Sequence, residues 1–138
     1  MTGASAGGDW ERGLVVFADA TSLWFLRLLR PGFRHCFIAL SWASGWVVID
    51  PLSHGTAVAH FPIDQEFDLA EWYRHHGLVV VPVKKVSPQR RVAPILPYSC
   101  VECVKRILGI HAPCVVTPWQ LYRYLNKAGT FVLTEAKR

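Results

Sequence analysis

Runs of apolar residues with the length and composition of β-strands recur along the chain. These runs are rich in Val, Ile and aromatic residues, and Gly, Ser and Pro, which favour turns, separate them. The segment Ala43-Ser44-Gly45 between two such runs is typical of a β-hairpin. The pattern predicts strands over residues 13–17, 35–42, 46–51, 55–61 and 78–84, and a last strand over residues 130–134.

Apolar residues recur with helical spacing in the remaining segments, residues 22–29, 69–76, 100–108 and 118–127. In residues 100–108 the predicted core-facing stripe consists of Cys100, Cys103, Val104, Ile107 and Leu108, and the predicted solvent face consists of Glu102, Lys105 and Arg106. Because strands and helices do not alternate regularly, the order of elements predicts an α+β domain with an antiparallel sheet packed against helices.

Length and composition indicate one folded domain. The chain has 138 residues, of which 51% are hydrophobic and 18% charged, enough to build a single core. Residues 1–12 are predicted to form a flexible N-terminal tail, because the chain begins with a Gly-, Ala- and Ser-rich stretch, and residues 13–138 to form the domain. No apolar run approaches the roughly 20 residues that cross a bilayer, so no membrane span is expected.

The net charge of +5 is spread along the chain, which indicates a solvated surface and no specific nucleic-acid site. The four cysteines occur without an export signal, so we expect reduced thiols in a protein made in the cytoplasm. Cys36, Cys103 and Cys114 are expected to be small buried apolar residues.

Cys100 is the strongest candidate for chemistry. Ser99 followed by Glu102 forms a capping box, so Cys100 is predicted to be the first residue of a helix. Free backbone N–H groups and the helix dipole stabilise an anion at that position, which lowers a thiol pKa and favours the nucleophilic thiolate.

A thiolate nucleophile needs an imidazole within reach, and His35 at the start of a predicted strand is the candidate. A hairpin turn centred between residues 43 and 44 would place Phe37 opposite Asp50 and Asp50 diagonally beside His35. Asp50 is therefore the first candidate to orient the imidazole, and His54 is the alternative. A structural interpretation remains open for Asp50, since Asp50-Pro51 is also an ordinary strand-ending turn.

The same cysteine belongs to a second pattern, Cys100-x2-Cys103 followed by His111-x2-Cys114. These are four candidate zinc ligands, or a redox pair in the first two. Both interpretations are disfavoured, because the apolar stripe of the helix uses Cys100 and Cys103, and a proline-rich loop precedes them where a redox motif would follow a strand. No metal and no cofactor are expected.

The order of these parts resembles the papain-like NlpC-type cysteine peptidases, in the circularly permuted branch that includes lecithin retinol acyltransferase, where the histidine precedes the cysteine. Ser99 departs from the Asn or Asp common before the cysteine in that branch. The helix at residues 117–122 is similar to one in small phage-encoded members. The matching segments are residues 13–17, 34–39, 46–51, 55–58, 78–83, 99–104 and 117–122.

The resemblance implies a papain-like fold with Cys100 as nucleophile, His35 as base, and Asp50 or His54 as third residue. The Cys100 amide and Tyr98 are candidate oxyanion donors. The implied function is a cysteine peptidase, amidase or acyltransferase that forms a thioester with a peptide or amide substrate, including cell-wall peptides, in a phage virion or tail. The alternative is a catalytically silent papain-like module that binds other virion proteins in a larger assembly.

Overall fold

Five antiparallel strands form one sheet in the order β4-β3-β2-β1-β5. The computed structural model describes residues 10, 12–19, 30–42, 44–52, 55–64, 66–84 and 99–135. Five of the predicted strands are confirmed, with ends that differ by at most one residue. The strands are β1 (Arg12–Ala18), β2 (His35–Trp42), β3 (Gly45–Leu52), β4 (Gly55–Phe61) and β5 (Val79–Val83).

The described residues form three helices that pack against this sheet: α1 (Leu69–His75), α2 (Cys100–Leu108) and α3 (Pro118–Glu135). The predicted α+β class with an antiparallel sheet and packed helices is therefore confirmed. The helix predicted at residues 22–29 lies outside the described residues.

The centre of the sheet is buried on both faces, because β1 is paired on each side and alternates its side chains between two apolar clusters. Val15 and Phe17 point to the face covered by α2 and α3. Leu14 and Val16 point to the opposite face, which α1 covers. The continuous apolar run in β1 follows from this double burial.

Helix α2 begins and ends where its sequence predicts. The Ser99 side chain accepts a hydrogen bond from the Glu102 backbone N–H at 3.2 Å, which caps the helix directly before Cys100. At the other end Gly109 adopts the left-handed conformation with φ of 75° and closes the helix.

The predicted solvent face of α2 is wrong for Glu102 and Lys105, which are 5% and 3% exposed. Their side chains form an ion pair at 3.0 Å. The Lys105 ammonium also donates to the carbonyl oxygens of Ala112 and Val115, at 3.0 and 2.9 Å, so the loop after α2 folds back over the pair. A buried charge is tolerated when it is paired and hydrogen-bonded in this way.

The strand predicted at residues 130–134 is also wrong, because α3 continues through that segment to Glu135. Gly129 was expected to end the helix. A single glycine costs a helix interior only about 1 kcal/mol, so an already formed helix can continue through it.

The predicted boundary of the tail at residue 13 is too late. Trp10 is 7% exposed and packs in the cluster under α2 and α3, and Arg12 begins β1. The Trp10 ring lies beside Gly13, where a side chain would press against it, so the absence of a Cβ at Gly13 makes room for the ring.

None of the helices in the described part of the chain has both the length and the apolar character that crossing a bilayer requires.

Candidate active site

Cys100 is the first residue of α2 and lies at the end of β2, where His35 begins the strand. The segment that precedes His35 is held in place by the packing of Phe33. The Phe33 ring contacts Phe17, Trp119 and Tyr122, with centroid separations of 5.5, 4.8 and 4.8 Å. Because these rings come from β1 and α3, they fix the start of β2 against the core before the chain reaches His35.

His35 and Asp50 form the first contact of the site. Their Nε2 and Oδ1 atoms are 2.5 Å apart, and the side chains are 16% and 33% exposed. The predicted hairpin register is confirmed, since Ile38 pairs with Ile49 and Trp42 with Gly45. In this register Asp50 is the first residue of β3 past the ladder with β2, diagonally across from His35, as predicted.

Three groups donate hydrogen bonds to the Cys100 sulfur: the His35 ring, the Cys36 thiol and the Cys36 backbone N–H. Since His35 uses Nε2 for Asp50, the nitrogen that faces Cys100 is Nδ1. Successive side chains of a strand point to opposite faces, so His35 and Cys36 can both reach one sulfur only near a strand end. The site is therefore built where β2 begins and where its ladder with β3 has already ended.

These contacts favour the charged forms of both groups. The hydrogen bond from Cys36 is the largest effect on the pKa of Cys100; burial opposes it, and the contacts with His35 add to it, so that the pKa is lowered to about 5. The hydrogen bond to Cys100 is the largest effect that raises the pKa of His35 above its usual 6.5, burial opposes it, and Asp50 adds to it. Both shifts favour the thiolate–imidazolium form of the pair.

Cys36 is the residue of the site that the sequence interpretation missed. Its burial is as predicted, with 0% exposure. Its pKa is raised well above the usual value by the hydrogen bond to Cys100, with burial as the next cause, so it stays a neutral donor. The signal in the sequence was its position directly after His35, but strand alternation argued for the opposite face.

Tyr73 of α1 lies in the apolar cluster on the face of the sheet opposite α2, within electrostatic reach of Asp50. Its ring packs edge-on against Phe37, with centroids 5.5 Å apart. The pKa of Tyr73 is raised by burial and, to a smaller degree, by the negative charge of Asp50, so its phenol remains neutral.

Other candidate residues take no part in this arrangement. His54 and Tyr98 lie outside the described residues. No group of three or more His, Cys, Asp or Glu side chains in the described part of the chain has metal-binding geometry. His111 and Cys114 are exposed, so the prediction that Cys114 is buried is wrong. Cys114 lies in the loop after α2. This loop is held to the helix by its backbone carbonyls, which accept hydrogen bonds from Lys105.

Comparisons with protein families, curated proteins and solved structures found no match. The site is thus defined by its own geometry, in which hydrogen bonds connect Asp50 to His35 and His35 to Cys100. This arrangement can supply a nucleophile, a proton donor and acceptor, and a group that orients the donor.

Proposed function

We propose that the protein is a cysteine hydrolase or acyltransferase that acts on peptide or amide bonds through a thioester on Cys100. The observation that carries the proposal is the chain of hydrogen bonds from Asp50 through His35 to the Cys100 sulfur. A helix-capped thiolate paired with an oriented imidazole is the arrangement that thiol-dependent acyl transfer requires.

In the proposed reaction the Cys100 thiolate attacks the substrate carbonyl carbon, and the developing oxyanion is stabilised by backbone N–H groups at the start of α2. The His35 imidazolium gives its proton to the leaving amine as the carbon–nitrogen bond breaks. Water, or another acceptor, then attacks the thioester while His35 takes up a proton, and the Cys100 thiolate is released. Asp50 keeps the imidazole oriented and stabilises its charge.

The order of parts supports this proposal, because a histidine strand that precedes a cysteine-headed helix resembles the permuted papain-like branch. By the same resemblance we propose cell-wall peptides as the substrate class and a phage virion or tail as the location. Synthesis in the cytoplasm and assembly with other virion proteins belong to this proposal.

The test is the rate of Cys100 alkylation by iodoacetamide as a function of pH, followed by peptide mass spectrometry. The rate should rise with a midpoint near pH 5, the pKa of Cys100. In His35→Ala the midpoint should move up toward the value of an ordinary thiol, about 8.5, although Cys36 still donates to the sulfur.

Turnover is tested with p-nitrophenyl acetate and with cell-wall peptides, using Cys100→Ser as the inactive control. Acetylation of Cys100 and release of nitrophenolate are expected in the wild type. A midpoint that does not move in His35→Ala, together with no acetylation, would contradict the proposal.

A second candidate function is a catalytically silent interaction module. The observation that favours it is β4, an edge strand that is exposed along its whole length, with Val58 66% and Phe61 44% exposed. Residues 55–61 contain no Lys, Arg, Asp, Glu or Pro, the residues that usually protect an edge strand from pairing. An inert Cys100 in a protein that associates through β4 would support this alternative.

A further inference from the structure

The proposed hydrolysis leaves a second sulfur in the site unused as a reactant. Cys36 has 0% exposure and lies in the core under α2, and Cys100 packs against that same core. The Cys36 thiol donates to the Cys100 sulfur, so the two sulfur atoms are in contact. Two thiols in contact, one of them a partly exposed thiolate, form a dithiol site.

Both cysteines of this dithiol lie near the start of an element. The Cys100 sulfur contacts both the thiol and the backbone N–H of Cys36, so it lies close to the Cys36 main chain. Cys100 is the first residue of α2, and Cys36 lies in β2 before its ladder with β3 starts at Ile38, so neither residue is held inside a doubly paired segment.

We infer that Cys36 is a resolving thiol, and that hydroperoxides convert Cys36 and Cys100 into a reversible disulfide that switches the site off. The inference rests on the reactive Cys100 thiolate of the proposed function, but it does not depend on the substrate that is hydrolysed.

The chemistry proceeds in two balanced steps. The Cys100 thiolate attacks one oxygen of the hydroperoxide, the O–O bond breaks, and the leaving alkoxide takes the proton of the His35 imidazolium, which yields Cys100 sulfenic acid and an alcohol. His35 then accepts the Cys36 proton, the Cys36 sulfur attacks the Cys100 sulfur, and the hydroxyl group leaves with that proton as water. The two thiols lose two electrons and the hydroperoxide gains them.

The first step prepares the second. The hydrogen bond to the Cys100 thiolate is the main cause that raises the pKa of Cys36. A sulfenic acid is neutral, so oxidation of Cys100 removes this effect and makes the Cys36 proton easier to lose at the moment when Cys36 must attack.

Cys103 is the competing partner, because Cys100-x2-Cys103 has the spacing of a redox pair. The structure favours Cys36: the Cys100 sulfur is hydrogen-bonded to Cys36, and Cys103 is not among the groups that affect the pKa of Cys100. Cys103 is 3% exposed, comparable to Cys36, so Cys103→Ser is a matched control for Cys36→Ser.

The experiment exposes the reduced wild-type protein, and each variant, to an excess of hydrogen peroxide at neutral pH and then blocks free thiols with N-ethylmaleimide. The protein is digested after Lys, Arg and Glu, because cleavage after Glu102 separates Cys100 from Cys103. We expect a linked peptide that joins Cys36 to Cys100, and recovery of rapid Cys100 alkylation after dithiothreitol.

In Cys36→Ser, and in Cys36→Ala should the serine variant fail to fold, Cys100 should instead advance to sulfinic acid. Dithiothreitol should then restore a several-fold smaller share of the variant's own starting alkylation rate than it restores in the wild type. Cys103→Ser should behave like the wild type. A Cys100–Cys103 linkage, or equal sulfinic acid in wild type and Cys36→Ser, overturns the inference. The linkage map decides this inference, whereas the effect of His35→Ala on alkylation decides the proposed function, so the two failures are distinguishable.

Discussion

At the scale of single residues, the Asp50 carboxylate sets the orientation of the His35 ring. It accepts a hydrogen bond from Nε2, with nitrogen and oxygen 2.5 Å apart, which leaves Nδ1 for the Cys100 sulfur. Asp50 also helps to raise the pKa of His35. One acidic side chain thus controls which ring nitrogen faces the nucleophile. It also extends the pH range over which the ring stays protonated.

Asp50→Asn should remove the orienting effect and the charge effect of Asp50 on His35 while it keeps the packing of the side chain. The amide has nearly the same shape, but it can donate to Nε2 and so favour the wrong tautomer. We expect acetylation of Cys100 by p-nitrophenyl acetate at neutral pH to fall by about 10²-fold or more. The pKa of His35, measured by NMR titration of its ring, should fall.

Asp64→Asn is the control for Asp50→Asn, because it removes the same charge from an exposed side chain. It should leave the acetylation rate and the His35 titration unchanged. Equal rates in wild type and Asp50→Asn would show that Asp50 does not orient the imidazole.

At the scale of elements, the β2–β3 hairpin sets the register that brings Asp50 to His35. Gly45 begins β3 with φ of 132°, a conformation that residues with a Cβ rarely adopt. A Cβ at Gly45 would also overlap the carbonyl oxygen of Phe61 at the end of β4. The glycine therefore supports both the turn and the close approach of β3 to β4.

Gly45→Ala should lower the free energy of unfolding by about 2 kcal/mol or more, from backbone strain and the overlap with Phe61. Urea unfolding followed by circular dichroism measures the change. Gly55→Ala is the matched control, since a Cβ there has nothing within 4 Å and the position needs no positive φ. The control should change stability by less than about 0.5 kcal/mol, and similar losses in both variants would contradict the argument.

Helix α2 depends on a buried ion pair as well as on its caps. Glu102 contacts Lys105 at 3.0 Å and Arg106 at 3.2 Å. Burial would raise the pKa of Glu102, but the hydrogen bonds from the two bases outweigh burial, so the pKa is lowered. The stabilisation is therefore present above the usual pKa of 4.5 and is lost as the pH falls through the lower pKa of the folded state.

Glu102→Gln should cost about 3 kcal/mol at neutral pH, because it leaves the Lys105 ammonium buried without its counter-charge. Below pH 4.5 the difference from wild type should shrink as Glu102 becomes protonated in the wild type. Glu71→Gln is the control: Glu71 pairs with Arg74 and His75, but its side chain is 55% exposed, so its loss should cost less than about 0.5 kcal/mol. Urea unfolding at both pH values checks the prediction.

At the scale of the whole molecule, β1 joins the two sides of the sheet. Its residues alternate between the cluster under α2 and α3 and the cluster under α1. Neither cluster can lose its side chains from β1 while the other keeps them, so the two faces should unfold together.

We expect the urea dependence of Cys103 alkylation to have the same midpoint as circular dichroism, because Cys103 is 3% exposed in the core on the α2 side. Exposed Cys114 is the internal control and should react readily at all urea concentrations. A Cys103 transition clearly below that of circular dichroism would show that α2 separates from the sheet before the rest unfolds.

Most of the elements could be predicted from local patterns. Residues 35–42 and 55–61 match β2 and β4 at both ends, since β-branched and aromatic runs bounded by turn residues leave few alternatives. Ser99 and Gly109 set the ends of α2 because capping is a local interaction. The strand predicted at residues 130–134 was wrong because a short apolar run fits a strand and a continuing helix equally well.

The sequence by itself determined the positions of Cys100 and His35 and the hairpin register that offers Asp50, because caps, turns and strand periodicity act over a few residues. Only the tertiary structure decided that Cys36 contacts Cys100 and that Glu102 and Lys105 are buried. The contact between Cys36 and Cys100 joins residues far apart in the chain, and the burial of Glu102 and Lys105 depends on how the loop after α2 folds back, so no local pattern could specify them.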